Sequence, residues 1–210
     1  RQAPRKVRPR ANVVVRLCSI ECSFVQTLGD GEQNDPFRSD IEAWSKIAPR
    51  LFVWNYVTNF SNYLVPHPNL RVLAPNLRFF VDHNVVGLFE QGDSQSGVGD
   101  FVRLRAWLLA HLMWNPDLDV DAVLDEMCER LYGKAGGTAR ELMQLECDVW
   151  EKGEWTRDRI KQPGGWPVPR RLFPVVFTPN VVQRMKVLRE KVLAELADDP
   201  TGQQRFLYWT

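Results

Sequence analysis

"VVGLFEQG", Val85–Gly92, is the stretch whose reading decides the fold. Five apolar or glycine residues run into Glu90, and Gln91 and Gly92 follow at once. A short apolar run bounded by turn-forming residues reads as a buried strand. Two similar runs precede it. "NVVVRLCSI", Asn12–Ile20, is rich in β-branched residues, and "LFVWNYV", Leu51–Val57, has little polar content. Between the runs lie helical patterns. "RSDIEAWSKIA" places Ile41, Trp44, Ile47 and Ala48 at helical spacing, with Ser39 and Glu42 as a capping box. Residues 69–84 repeat Leu70, Leu73, Leu77, Phe80 and Val81 around an interrupting Pro75, and Asp100 stands where it would cap "FVRLRAWLLAHLMW".

Strand and helix therefore alternate three times before Pro116. Continuous apolar strands separated by helices predict a parallel sheet with helices packed outside it. Either a doubly wound sheet or part of an eight-fold β/α barrel fits. After Pro116 only helices are predicted. "DLDVDAVLDEMCERLYGKAG" carries Val120, Val123, Leu124, Met127 and Leu131 on one face and stops at Gly133. "TARELMQLECDVWEKGEW" follows, then the proline- and glycine-rich "RIKQPGGWPVPRRLFP". A last helix begins at Thr178-Pro179, with Val182, Met185, Leu188, Val192 and Leu196 on its apolar face. The organisation expected is a basic lead-in over residues 1–11, βα units over 12–116 and a helical region over 117–210.

Composition narrows the function classes. The 210 residues are 44% hydrophobic and 25% charged with a net charge of +1, so no global field draws nucleic acid or a membrane surface. The basic "RQAPRKVRPR" is followed by no nucleic-acid motif. No apolar run approaches the roughly 18 residues of a membrane span. No G-x-G-x-x-G or P-loop follows a strand, which removes the usual nucleotide signature. Cys18, Cys22, Cys128 and Cys147 read as free thiols, and His67, His83 and His111 lack ligand spacing, so neither a metal nor a cofactor is expected. "DLDVDA" fails as a calcium loop because Ala122 stands where glycine is needed and Cys128 where a glutamate is.

Ligands of parallel β/α folds sit at the carboxyl ends of the strands. That rule selects Ser19, Glu21 and Cys22; Trp54, Asn55, Tyr56, Thr58 and Asn59; and Glu90, Gln91 and Asp93. Carboxylates, amides and flat aromatic rings together suit a carbohydrate, whose C–H faces stack on rings while its hydroxyls meet amides and acids. Partial burial would raise the pKa of Glu90 and suit it to give up a proton as a catalytic acid. An ion pair with Arg16 or Arg103 is the structural alternative. Trp54 and Tyr56 share a strand parity and point the same way, into a pocket or into the core.

"NVVVRLCSIECSF", "RLFVWNYVTNFSNYLVPHPNLRVLAPNLRFF", "VVGLFEQG" and "LRAWLLAHLMWNPDLDVDAVLDEMCERLYGKAG" together resemble a bacterial domain-of-unknown-function family, number 4838, part of which is classed as glycoside hydrolase family 163. The likeness covers about Val7 to Gly137. It implies a (β/α)8 TIM-like barrel related to hexosaminidases and α-glucuronidases. It implies hydrolysis of β-linked N-acetylglucosamine in glycans by metal-free general acid/base chemistry, with the substrate acetamide as nucleophile. By the same likeness Trp54 and Tyr56 wall in the acetamide and Glu90 is an acid or sugar ligand, while Glu21, Asn55, Asn59 and Gln91 are expected to bind substrate from their place at the strand ends. Only three strands are present, so the resemblance implies the C-terminal half of the barrel. Its partner is then the N-terminal part, whose Asp-Glu pair would lie upstream of Arg1. A secreted or cell-envelope setting fits that family. The competing expectations are a non-catalytic carbohydrate-binding or degenerate barrel domain, and a partner-binding helical module using the Val182–Leu196 face.

Overall fold

The computed structural model describes residues 2–60, 63–93, 99–152 and 177–209. In chain order the elements are β1 (Val15–Cys18), α1 (Asp35–Ser45), β2 (Leu51–Tyr56), α2 (Leu70–Val81), β3 (Val85–Gln91) and α3 (Val102–Trp114). There follow α4 (Val120–Tyr132), α5 (Gly136–Lys152), α6 (Pro179–Glu195) and α7 (Pro200–Trp209). The three strands form one open parallel sheet in the order β1-β2-β3. The mixed α/β organisation expected from the strand–helix alternation is thus present. The expected "RIKQPGGWPVPRRLFP" connector lies outside the described residues.

Register divides the sheet into two faces. Val15 pairs with Leu51 and Cys18 with Trp54. Across the other side Leu51 pairs with Val85, but Phe52 pairs with Gly87, so Val86 is an extra residue in β3. That bulge resets the alternation. Leu17, Leu51, Val53, Asn55, Leu88 and Glu90 then share one face. Arg16, Cys18, Phe52, Trp54, Tyr56, Gly87, Phe89 and Gln91 share the other. On the first face Leu17, Leu51 and Val53 are buried in one apolar cluster with Ile41 of α1, Leu73 and Leu77 of α2, and Leu108 of α3. The second face is half open, with Phe89 47% exposed and Arg16 exposed. Gly87 has a packing reason: a Cβ there would fall 2.5 Å from Phe52 Cδ2 on that face.

Four local expectations change. β1 is shorter than Asn12–Ile20, because residues 12–14 are exposed and pairing with β2 starts only at Val15. Ser39 does not cap α1. The helix begins at Asp35 with Pro36 in its first turn, and Ser39 lies inside it. The loop before α1 is fastened by Asn34, whose Nδ2 donates to the carbonyls of Ser23, Gln26 and Thr27 while its Oδ1 accepts from Ser23 N at 2.7 Å. Asp100 does not cap α3 either. Phe101 takes the cap position at φ 45°, and the Asp100 carboxylate turns inward. Pro75 does not interrupt α2, which runs through it. The proline leaves the Arg71 carbonyl without its helical donor, and burial of Leu73, Ala74, Leu77 and Phe80 on both sides holds the helix together.

The helical half follows its sequence signals more closely. Asp119 accepts from the backbone N–H groups of Asp121 and Ala122 at the start of α4, and Gly133 ends it at φ 50°. Thr178 accepts from Val181 N with Pro179 at the first position of α6. Arg140 of α5 pairs with Asp121 and with Asp125 of α4, and Arg71 of α2 reaches Asp148 and Glu151 of α5 at 2.8 and 2.6 Å. Leu188, Val192 and Leu196 are buried, so most of the α6 face that a partner-binding module would present is already covered. α7 supplies Phe206, buried edge-on against Tyr132.

Candidate functional site

Past the last apolar positions of the sheet, the helix-covered face changes from aliphatic to polar. Ser19 Oγ donates to Asn55 Oδ1 at 2.5 Å, and Asn55 Nδ2 donates to Glu90 Oε2 at 2.9 Å. Ser19 and Asn55 are buried and Glu90 is partly buried. One residue from each strand end thus makes a continuous row. Desolvation pushes the Glu90 carboxyl up to about 7, against the opposing pull of the Asn55 hydrogen bond. Arg16, one of the two cations considered as its salt-bridge partner, lies on the opposite sheet face with its guanidinium 5.1 Å from the Trp54 ring centroid. Farther along, Thr58 donates to Asp93.

The other face carries the aromatic group. Trp54 Nε1 donates to Gln91 Oε1 at 2.7 Å, which fixes the indole across two strands. The ring stacks on Tyr56 at 6.3 Å and meets Phe89 edge-on at 5.2 Å. Tyr56 is enclosed. Phe24 stacks on it at 5.6 Å, Phe60 abuts it edge-on, and its hydroxyl lies 3.3 Å from Cys18 Sγ. Burial, then the contact with Cys18, raises the Tyr56 hydroxyl to about 12. The accessible members of the strip are therefore Trp54, Phe89 and Arg16.

The predicted residues divide accordingly. Glu90 and Asn55 are joined directly, and Trp54 and Gln91 are joined directly, on opposite faces of the sheet. Tyr56 belongs with Trp54 but is buried. Asn59 is buried beyond the end of β2, and Glu21 is exposed in the loop after β1. Sequence reasoning left out Phe89 and weighed Arg16 only as an ion-pair partner of Glu90, although both share the sheet face of Trp54. It also left out a buried polar group behind the sheet. There Arg105 donates to Asn69 Oδ1 at 2.8 Å, to the His67 carbonyl at 3.1 Å and to Asp100 at 3.2 Å. Asn69 in turn donates to the Val57 carbonyl, tying this group to the end of β2.

All four cysteines are free thiols, with Cys22, Cys128 and Cys147 buried and Cys18 partly so. Burial pushes the Cys128 and Cys147 thiols up to about 12, which makes them poor nucleophiles. Among the described residues no helix is long and apolar enough to cross a membrane. No curated protein and no solved structure matches the chain. The family model described as "Domain of unknown function (DUF4838)" matches residues 1–144, more than half of the sequence, and the chain belongs to that family.

Proposed function

We propose that this chain is a segment of a glycoside-hydrolase-like protein acting on N-acetylglucosamine-containing glycans, with the open sheet face as its sugar-binding surface. The supporting observation is Trp54. It is held by Gln91 on a half-open parallel sheet, against an exposed Phe89 and with the Arg16 guanidinium over its ring. A rigid ring next to charged and amide donors offers what a sugar needs, an apolar plate edged by hydrogen-bonding groups. Parallel sheets are normally covered on both faces, so the half-open face among the described residues also favours further β/α units closing a barrel over it. In that reading the strips bearing Arg16, Trp54 and Phe89 face the barrel interior.

Glu90 is the candidate proton donor. A carboxyl raised to about 7 by desolvation has the affinity for a proton that a general acid needs near neutral pH. The register also favours the second reading, non-catalytic carbohydrate binding, because it turns Glu90 away from Trp54 and towards Asn55. The experiment is a titration with chitin oligosaccharides, following tryptophan fluorescence for binding and released reducing ends for turnover. Trp54→Ala is expected to weaken binding at least tenfold. Glu90→Gln with binding retained and turnover lost supports the hydrolase; no turnover in either form, with binding retained, supports the binding domain. Binding that is undetectable, or identical in Trp54→Ala, overturns both.

A further inference from the structure

A second site lies away from the strand ends. A cavity of about 320 Å³ opens between the loop before α3 and helices α5 and α6. Leu64, Phe101, Leu142, Phe177 and Met185 give it apolar walls, and Asp100, Glu146, Lys186 and Arg189 form its polar lining. Lys186 is exposed at the rim, beside Arg189, whose guanidinium rests 5.6 Å from the Phe206 ring centroid.

Glu146 is the unusual member. It is only 5% exposed and lines the open cavity, and the charges acting on its carboxyl are those of Asp100 and Arg105. Buried carboxylates are ordinarily paired, so one that faces an open cavity beside a second acid calls for a partner from outside. Its surroundings specify the charge of that partner. His67 N and Arg105 both donate to Asp100 Oδ2, and the remaining Arg105 bonds go to Asn69 and the His67 carbonyl. His67 is buried beside Arg105 and adds no cation, since burial and then the Arg105 charge hold its ring well below the usual imidazole range. One guanidinium therefore serves two acids. Burial, with the Asp100 charge behind it and Arg105 opposing, makes Glu146 hold its proton to higher pH than a free glutamic acid. Lys186 is exposed and screened by water, and the half-buried Arg189 is engaged with the Phe206 ring.

We propose that this cavity binds a small molecule with an apolar body and a primary ammonium group, the ammonium seated between Glu146 and Asp100. The space suits such a ligand, being about twice the ~150 Å³ that accepts a benzene ring. Docking the cation ionises Glu146, so its proton leaves for solvent as the charge pair forms. This site stands apart from the sugar-binding face and does not depend on it.

The test is calorimetry of the whole chain with 2-phenylethylamine, 2-phenylethanol and 3-phenylpropanoate. The amine is expected to bind at least tenfold more tightly than either analogue, with a heat that varies with the buffer's ionisation enthalpy as the Glu146 proton is released. Glu146→Gln should weaken the amine at least tenfold and abolish that buffer dependence. Met185→Trp, which fills the cavity, should abolish binding and decides the matter if the first variant does not fold. Lys186→Met should leave binding unchanged or slightly tighter. No binding of the amine, equal binding of the alcohol, or full binding in the variants at position 146 or 185 overturns the proposal.

Discussion

The two faces of the three-stranded sheet carry side chains from the same strands and have opposite characters. One is sealed by α1, α2 and α3 and ends in the row Ser19–Asn55–Glu90. The other is half open and carries Arg16, Trp54 and Phe89. On the sealed face stability comes from apolar burial, and the one acid there is forced towards its neutral form. On the open face side chains are ordered by ring contacts and a single indole hydrogen bond, which leaves surface available for a ligand. A parallel sheet thus separates packing from recognition by alternation alone.

The strongest way to break this contrast is to place a charge on each face. Val53→Asp, at a position with no exposure, is expected to cost more than about 4 kcal/mol and leave the chain unfolded. Phe89→Asp on the open face should cost about 1 kcal/mol or less, judged by denaturant midpoints. Equal losses would show that the open face is not open in solution. Next in size is the close approach between strands. Gly87→Val drives side-chain atoms into Phe52 and should cost about 2–3 kcal/mol, most of it recovered when Phe52 is also shortened to alanine. Additive losses would mean that the bulge, and not the ring, demands glycine.

The smallest effect has the opposite sign and depends on pH. Glu90 holds its proton up to about 7 in the folded chain, whereas an unfolded glutamic acid ionises near 4.5. Below about pH 4 both states are protonated, and Glu90→Gln should change stability little. Between pH 4.5 and 7 only the unfolded chain ionises, so the native protein loses stability as pH rises, and the loss is complete above 7. Glu90→Gln should therefore stabilise by about 2 kcal/mol at pH 8, after allowance for the solvent that reaches this partly exposed group. Matched urea titrations at pH 4 and pH 8 check the sign. Destabilisation at pH 8 instead would place the acid in an ion pair.

Several features were legible in the residues alone, because they depend on local physics. Apolar runs marked the three strands, and strand parity placed Trp54 with Tyr56. Thr178-Pro179 marked the start of α6. A carboxyl at the end of an apolar run carried its raised pKa with it. Other features depend on neighbours distant in the chain. Asp100 resembles a helix cap in sequence but is drawn inward by Arg105 and His67 N, a pairing that exists only once the loop before α3 folds back. Glu146 lies four residues from both Leu142 and Trp150 on a buried stripe, a spacing that hinted at burial without revealing the cavity.

The decisive case is Val86. Gly87 inside "VVGLFEQG" is only a local hint of a bulge, and it is pairing with β2 that makes Phe52 face Gly87 and leaves Val86 outside the register. Side chains alternate with a period of two, so one inserted residue exchanges the faces for everything that follows. The sequence by itself determined that β3 would end on a carboxylate, an amide and a glycine. Only the strand pairing decided that the carboxylate would meet Asn55 behind the sheet while the amide would hold Trp54 in front of it.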